Sequence, residues 1–589
     1  MPQSAMLNRF SGLLLITIYL LALSLTPRAV FWSPDEGAKF LMVKTLQHGA
    51  LPYRGVTLDP TYRYYPQHPI YPHLNQAGQV EFHWSAGFAW LSLLPFYLFG
   101  LTGLYLWPLF SGLAVAYLSG RLAERLQPGT FAITMLLVGL TTPMFFYSLL
   151  FWEHTLVVLL ALMALEQSLT LLIHPRKRHG IGLMVCLGLA VTLRLEMLFY
   201  GLALGVALVY SMFPHLPKPH RSSRPVRFKY ITFWLWGAAI IIIALVLIIL
   251  NNSRYLTYLL WGASALIQPD FWANSLTQLT ATWISTSAGG GPQVAEWLPR
   301  WGLLSFLCLM AALSLPQPGR YIGLTLALSL MGYVSLTVLL EPNRYRTLHG
   351  FFLPAPQVLF GLWGAFHLTR PNLNPHPNPL PVREGVTLPS LWGGLRGGFC
   401  LNFMASQAQL VSLTTLLYLA FGTIAVMVRQ REVIANLEWG PRYLLTLYPL
   451  MVICGTVGWR EVVPAMKGWR YLYLGLAIGL TLLGAGYQGR GWAEIRAVKG
   501  ELLPYSHALA AVNQPIVTDI EWLYASLAPT LVEKEVYVLN PPDDLAAWVT
   551  LTENQPFIFA SFFEPSLVTL SPIKQETVGQ LTLTYYLTK

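Results

Sequence analysis

Asp35 and Glu36 stand side by side in Trp32-Ser-Pro-Asp-Glu-Gly37, just after the first apolar run of the chain. Ser33 and Pro34 are helix-starting residues, so both carboxylates fall in a first turn, and the helix is expected to run on through Ala38, Phe40, Leu41 and Leu46 to Gly49. A third acid, Glu153, has His154 beside it in Tyr147-Ser-Leu-Leu-Phe-Trp-Glu-His-Thr155. Carboxylate oxygens suit hard cations, so Asp35, Glu36 and Glu153 together could hold a divalent ion, and whether a metal is needed stays open. The plainer reading is that acids occupy first turns because the helix dipole favours them there, and that Glu153 caps the helix that follows it. Arginines offer the complementary chemistry. Arg442, with Tyr443 beside it in Glu438-Trp-Gly-Pro-Arg-Tyr-Leu444, comes first as a phosphate clamp, and Arg344 and Arg346 in Glu341-Pro-Asn-Arg-Tyr-Arg346 come next, because a guanidinium can grip two phosphate oxygens at once. The alternative for any arginine at a helix end is to snorkel into lipid headgroups.

Arg194 and Glu196 lie at a turn between two apolar runs, where ionisable residues are either functional or simply paired with each other. His68, His73, Glu81 and His83 enrich the first long loop, but Glu81-x-His83 is no zinc spacing. They would line a binding groove or are merely solvated, while Tyr62, Tyr64, Tyr65, Tyr71 and Trp84 suit an interfacial belt and would equally suit stacking on a sugar.

The elements that must position these groups belong to a membrane. Only 11% of the 589 residues are charged, against 54% hydrophobic, and the mean hydropathy is +0.51. That is too little charge to cover a water-facing surface of this size, since soluble domains carry roughly 25%. The net charge of +11 lies in short loops between apolar runs, as membrane orientation requires, so nucleic acid is discounted as a partner. Cys186, Cys308, Cys400 and Cys454 show no paired spacing and read as packing residues. Apolar runs of spanning length begin near residues 11, 104, 131, 155, 181, 197, 230, 300, 321, 349, 406, 443 and 471. They predict an α-helical polytopic protein with about 13 transmembrane helices, the first an uncleaved signal anchor.

The basic loops at Arg121 to Arg125, His174 to His179 and Pro217 to Lys229 are expected on the cytoplasmic side. Counting outward from them places the candidate groups outside: the first loop over 32–103, with Ala86 to Phe99 as an interfacial or re-entrant helix, then Phe151 to His154, Arg194 to Glu196, the 251–299 loop, Glu341 to Arg346, and Arg429 to Arg442. Arg429 and Arg431 run against the charge trend. Residues 371–398 are rich in Pro and Gly and read as a disordered cytoplasmic insertion within a transmembrane domain spanning 1–489. Residues 490–589 read as a small extracytoplasmic α/β domain with a mainly parallel sheet. Its strands are expected at 515–520, 535–539, 557–561 and 581–587, its helices at 522–531 and 543–551. It carries no glycine-rich phosphate loop.

The acidic segment after the first span, the Glu153 segment and the Trp439-Gly-Pro-Arg-Tyr-Leu444 stretch resemble, in order and in expected sidedness, motifs of the GT-C superfamily of membrane glycosyltransferases, whose members include protein mannosyltransferases and the aminoarabinose transferase. The resemblance covers roughly residues 10–490 in layout and only these short motifs in sequence. It implies a polyprenyl-phosphate-linked sugar as donor, a glycan, lipid or protein as acceptor, and work on the cell envelope from the bacterial inner membrane, with inversion at the sugar. A phosphate leaving group departs unprotonated, so the protein must take the acceptor's proton and hold the phosphate. The resemblance assigns the first task to Asp35, with Glu36 as its neighbour. Glu153 stands where the family more often has Asp. Arg442, Arg344, Arg346, Tyr443, His154 and His83 fall to substrate binding.

Two other readings compete. A lipid or solute transporter would place charges near the midplane on broken helices with internal repeats, and no repeat is visible. A non-catalytic assembly or sensor protein would work through its C-terminal domain and survive loss of Asp35.

Overall fold

The computed structural model describes residues 2–47, 56–57, 73–74, 79–81, 86–174, 176–212, 286–287, 297–315, 319–340, 347–348, 351–369, 393–429, 442–462, 468–518, 520–532, 534, 536–538, 556–561 and 572–586. The helices are α1 Pro2–Ser24, α2 Pro34–Gln47, α3 Ala86–Phe99, α4 Leu101–Leu104, α5 Leu106–Leu126, α6 Phe131–Thr141, α7 Met144–Tyr147, α8 His154–Ile173, α9 Lys177–Leu193 and α10 Met197–Met212, followed by α11 Trp297–Ser314, α12 Gly319–Leu340, α13 Val358–Leu368, α14 Gly393–Arg429, α15 Leu447–Val462, α16 Arg470–Ala510, α17 Glu521–Ser526 and α18 Ala528–Leu531.

Among the described residues six helices are long and apolar enough to cross a membrane, and five shorter apolar ones accompany them. Large apolar side chains stand on their outer faces: Leu13 and Leu20 on α1, Leu326 and Tyr333 on α12, Ile478 and Leu482 on α16. Water would penalise such faces, whereas lipid does not. The chain is therefore an α-helical polytopic membrane protein. The expected span near residue 230 lies outside the described residues, as do 371–392 of the Pro/Gly-rich stretch, while Gly393 already opens α14.

The chain divides into two compact units, one of residues 1–17, 111–146 and 154–489, the other of residues 18–110, 147–153 and 490–589. In the first unit helices pack pairwise, α8 with α9, α10 with α14, α11 with α12, and α13 with α15. The last pair is built on glycines. A Cβ on Gly361 would lie 2.2 Å from the Met451 carbonyl oxygen, and one on Gly364 would lie 2.3 Å from that of Cys454. Small residues let two backbones meet where lipid gives no hydrophobic drive. Hydroxyls inside the helices find partners locally, as the absence of water demands: Thr414 donates to the Leu410 carbonyl at 2.8 Å and Thr415 to that of Val411 at 2.7 Å.

The short strands β1 Val56–Thr57, β2 His73–Leu74, β3 Gln79–Glu81, β4 Thr286–Ser287 and β5 Thr347–Leu348 come first in the chain; in the second unit a five-stranded sheet comprises β6 Ile516–Thr518, β7 Val536–Val538, β8 Phe557–Ser561, β9 Pro572–Val578 and β10 Leu581–Tyr586, in the order β7-β6-β8-β10-β9. The pairs β6–β7 and β6–β8 are parallel, as the strand–helix alternation implies. The other half is antiparallel, because β9 and β10 form a hairpin turned at Gly579, whose φ of 62° suits a residue without Cβ. Strand β9 did not stand out in the sequence: Lys574, Gln575 and Glu576 interrupt its apolar signal, as an edge strand tolerates. The helix expected over 543–551 lies outside the described residues.

Replacing Gly364 by Val should destabilise the first unit by about 1–3 kcal/mol, as overpacking does. Thermal unfolding in detergent reads this, and an unchanged midpoint would mean that α13 and α15 do not approach so closely.

Candidate active site

Helix α2 begins as the sequence requires. Pro34 takes the first position, Asp35 and Glu36 the first turn. Three residues past Ser33, Glu36 folds back. Its Oε2 accepts from the backbone N–H groups of Trp32 at 2.8 Å and Ser33 at 3.2 Å, the reciprocal half of a capping box. Its Oε1 accepts from the Phe151 N–H at 2.7 Å. Glu36 is 0% exposed, so this carboxylate is a structural bridge between the start of α2 and the segment carrying Glu153. An ionised carboxylate away from water needs such donors.

Glu153 is buried as well, and its Oε2 lies 2.5 Å from Lys39 Nζ, one turn along α2 from Asp35. Lys39 Nζ also sits 5.5 Å from the centre of the Trp152 ring. Trp152 meets Trp32 edge-on at 6.0 Å and stacks on Tyr147 at 5.4 Å, which makes the walls of the pair aromatic. Asp35 differs from both: it is only half-buried. The three carboxylates thus do not share one ion. Glu36 faces backbone amides and Glu153 faces an ammonium, and among the described residues no group of three or more His, Cys, Asp or Glu is placed to hold a metal.

The second unit holds further charge near this corner. Lys499 on α16, buried, donates to Tyr105 Oη at 2.9 Å and lies 4.8 Å from that ring's centre. Arg28 donates to Thr102 Oγ1 at 2.8 Å.

A separate cluster forms in the first unit. Arg442 opens a 3-10 turn, Arg442–Leu444; its Nη2 donates to Tyr443 Oη at 3.2 Å, and its guanidinium carbon lies 5.3 Å from the Tyr443 ring centre. Arg194, at the end of α9, lies 5.3 Å from the same ring. It pairs with Glu196, and its Nη1 is 2.9 Å from His154 Nε2. An arginine can only donate, so this contact requires an unprotonated His154 nitrogen. Tyr418 Oη fixes the turn by donating to the Tyr443 carbonyl at 3.0 Å. The turn at Arg194 to Glu196 is therefore both paired and joined to two of the residues expected at a binding site. Arg344, Arg346 and His83 lie outside the described residues, as do Arg431 and residues 438–441 of the Glu438 to Leu444 segment.

Lys39, Lys499 and Trp152 are the groups sequence reasoning missed. Lys39 left a signal, a lysine at i+4 from Asp35 among the apolar positions of α2. Lys499 left none, because a long charged helix normally turns its lysines to solvent.

This chain has similar solved structures. Over 97% of this chain and 97% of theirs, it is similar to two structures of ArnT from Cupriavidus metallidurans, one in the apo state and one bound to undecaprenyl phosphate, with a TM-score of 0.48 and 12% sequence identity in each case. No protein-family model matches the sequence, and no curated protein matches it.

Lys39→Met or Glu153→Gln alone should cost about 3–5 kcal/mol, since each strands a buried charge, whereas the double substitution should recover most of that loss. Chemical or thermal unfolding of the three variants decides; a double variant no better than the sum of the singles would deny the coupling.

Proposed function

We propose that this chain is a membrane glycosyltransferase that moves a sugar from a polyprenyl-phosphate carrier to an extracytoplasmic acceptor, with Asp35 as general base. One observation carries the reading. Of the three candidate carboxylates, Asp35 keeps part of its surface open, while Glu36 and Glu153 are buried at 0% and 5% exposure on partners of their own. A base must reach the proton it removes, so burial disqualifies the other two.

The step balances simply. The acceptor hydroxyl gives its proton to the Asp35 carboxylate, and its oxygen attacks the anomeric carbon. The bond from that carbon to the carrier's phosphate oxygen breaks with its electron pair, leaving a polyprenyl phosphate and inverting the sugar carbon. The phosphate needs cationic donors, and Arg442 is proposed to supply them, held in place by Tyr443. Glu153 serves indirectly by holding α2 through Lys39. Undecaprenyl phosphate, the lipid bound in one of the similar ArnT structures, is a polyprenyl phosphate, the class of carrier that the proposed step releases. The proposed setting is the bacterial inner membrane with the sites outside, and residues 490–589 as an extracytoplasmic domain.

Asp35→Asn should lower kcat by about 10²-fold or more in protein that folds and inserts normally, the usual scale for losing a general base. The assay is transfer from polyprenyl-phosphate mannose, glucose and arabinose to cell-envelope acceptors, and a native rate would reject the base. Arg442→Ala should raise KM for the lipid donor more than it lowers kcat, and an unchanged KM would reject the clamp. Substrate crossing the membrane with no covalent product would favour a transporter instead.

A further inference from the structure

We propose that the C-terminal domain is the part that positions Asp35, gripping helix α2 on both sides of it, with Gly37 as the key positioning residue. This rests on Asp35 acting as the base.

The grip begins before the acidic turn. Val30 is fully buried among Leu502, Leu509, Ile516, Leu523 and Leu527, all from the C-terminal part. Next in the chain, the Phe31 N–H donates to the Ser526 carbonyl at 2.9 Å, at the end of α17. It resumes directly after the turn. A Cβ built on Gly37 would lie 1.7 Å from the Ala525 carbonyl oxygen and 2.4 Å from the Ala525 carbonyl carbon. Both clashing atoms are backbone, which no rotamer change can move aside, so only glycine permits the contact. A glycine inside a helix weakens it relative to alanine, and this close approach is what it gives in return. Asp35 therefore stands between two attachments to residues 525–526, at 31 and at 37. Lys499, whose helix leads into the same domain, is itself buried and donates to Tyr105 Oη at 2.9 Å.

The consequence is mechanical. Glu36 and the Lys39–Glu153 pair hold α2 to residues 151–153, and the seat on α17 sets the placement of its first turn, and so of Asp35. A misplacement of about 1 Å at a reacting group can cost 10²-fold in rate. Gly37 touches no substrate in this reading and acts only through Asp35.

The test uses the full-length protein in detergent or nanodiscs. Gly37→Ala should lower kcat per folded molecule by about 10²-fold while KM for the lipid donor stays within about twofold, and should speed hydrogen exchange at the Phe31 amide. Gly500→Ala, a glycine with open space around it, should leave kcat unchanged. Wild-type kcat and unchanged Phe31 protection in Gly37→Ala would overturn the proposal, as would a change confined to KM. If Gly37→Ala does not fold, Val30→Ala decides, since Val30 is the buried apolar half of the grip: a lowered kcat at constant KM supports it, and a wild-type kcat overturns it. The two readings fail separately. Native turnover in Asp35→Asn sinks the base, whereas loss of turnover in Asp35→Asn with none in Gly37→Ala sinks only the positioning.

Discussion

A carboxylate shut away from water must be met by donors, and at Glu36 all of them come from the backbone. Three N–H groups, from Trp32, Ser33 and Phe151, converge on its two oxygens. Leaving such a charge unmet would cost more than most single interactions contribute, so the loop before α2 and the loop before α8 are obliged to meet at this residue. The identity of the partly open neighbour follows from that obligation. With Glu36 committed to the cap, Asp35 is the acid of the pair that remains at the surface.

The same reasoning extends along α2. Lys39 and Glu153 are buried together within aromatic walls, where desolvation offsets much of the attraction between opposite charges. Such a pair contributes little net stability. Its effect is geometric, because neither charge tolerates displacement from the other. Glu36, the Lys39–Glu153 pair and the glycine contact at residue 37 restrict one short helix from three directions, and that is the preorganisation a proton acceptor needs if it is not to reorganise during reaction.

In the first unit the recurring device is cation against ring. Arg194 and Arg442 both approach Tyr443, and Glu196 and His154 hold the former. Tyr443 thereby offers its ring to two guanidinia, a contact that orients each of them without neutralising its charge.

The membrane class, most helix positions, the parallel half of the C-terminal sheet and the acidic first turn were legible in the sequence, because each rests on local signals: runs of apolar residues, strand–helix alternation, and a capping pattern four residues long. Glu36 and Glu153 were also visible as acids, but their roles were not, since burial and partners 115 residues apart leave no trace in spacing. Gly37 looked like one more small residue in a motif. Only the tertiary structure brings the Ala525 carbonyl against it, and only there do Lys39 and Lys499 turn inward. Composition and periodicity determine which solvent a segment prefers; which charge meets which, and which backbone another will admit, depends on contacts between residues that the chain itself keeps far apart.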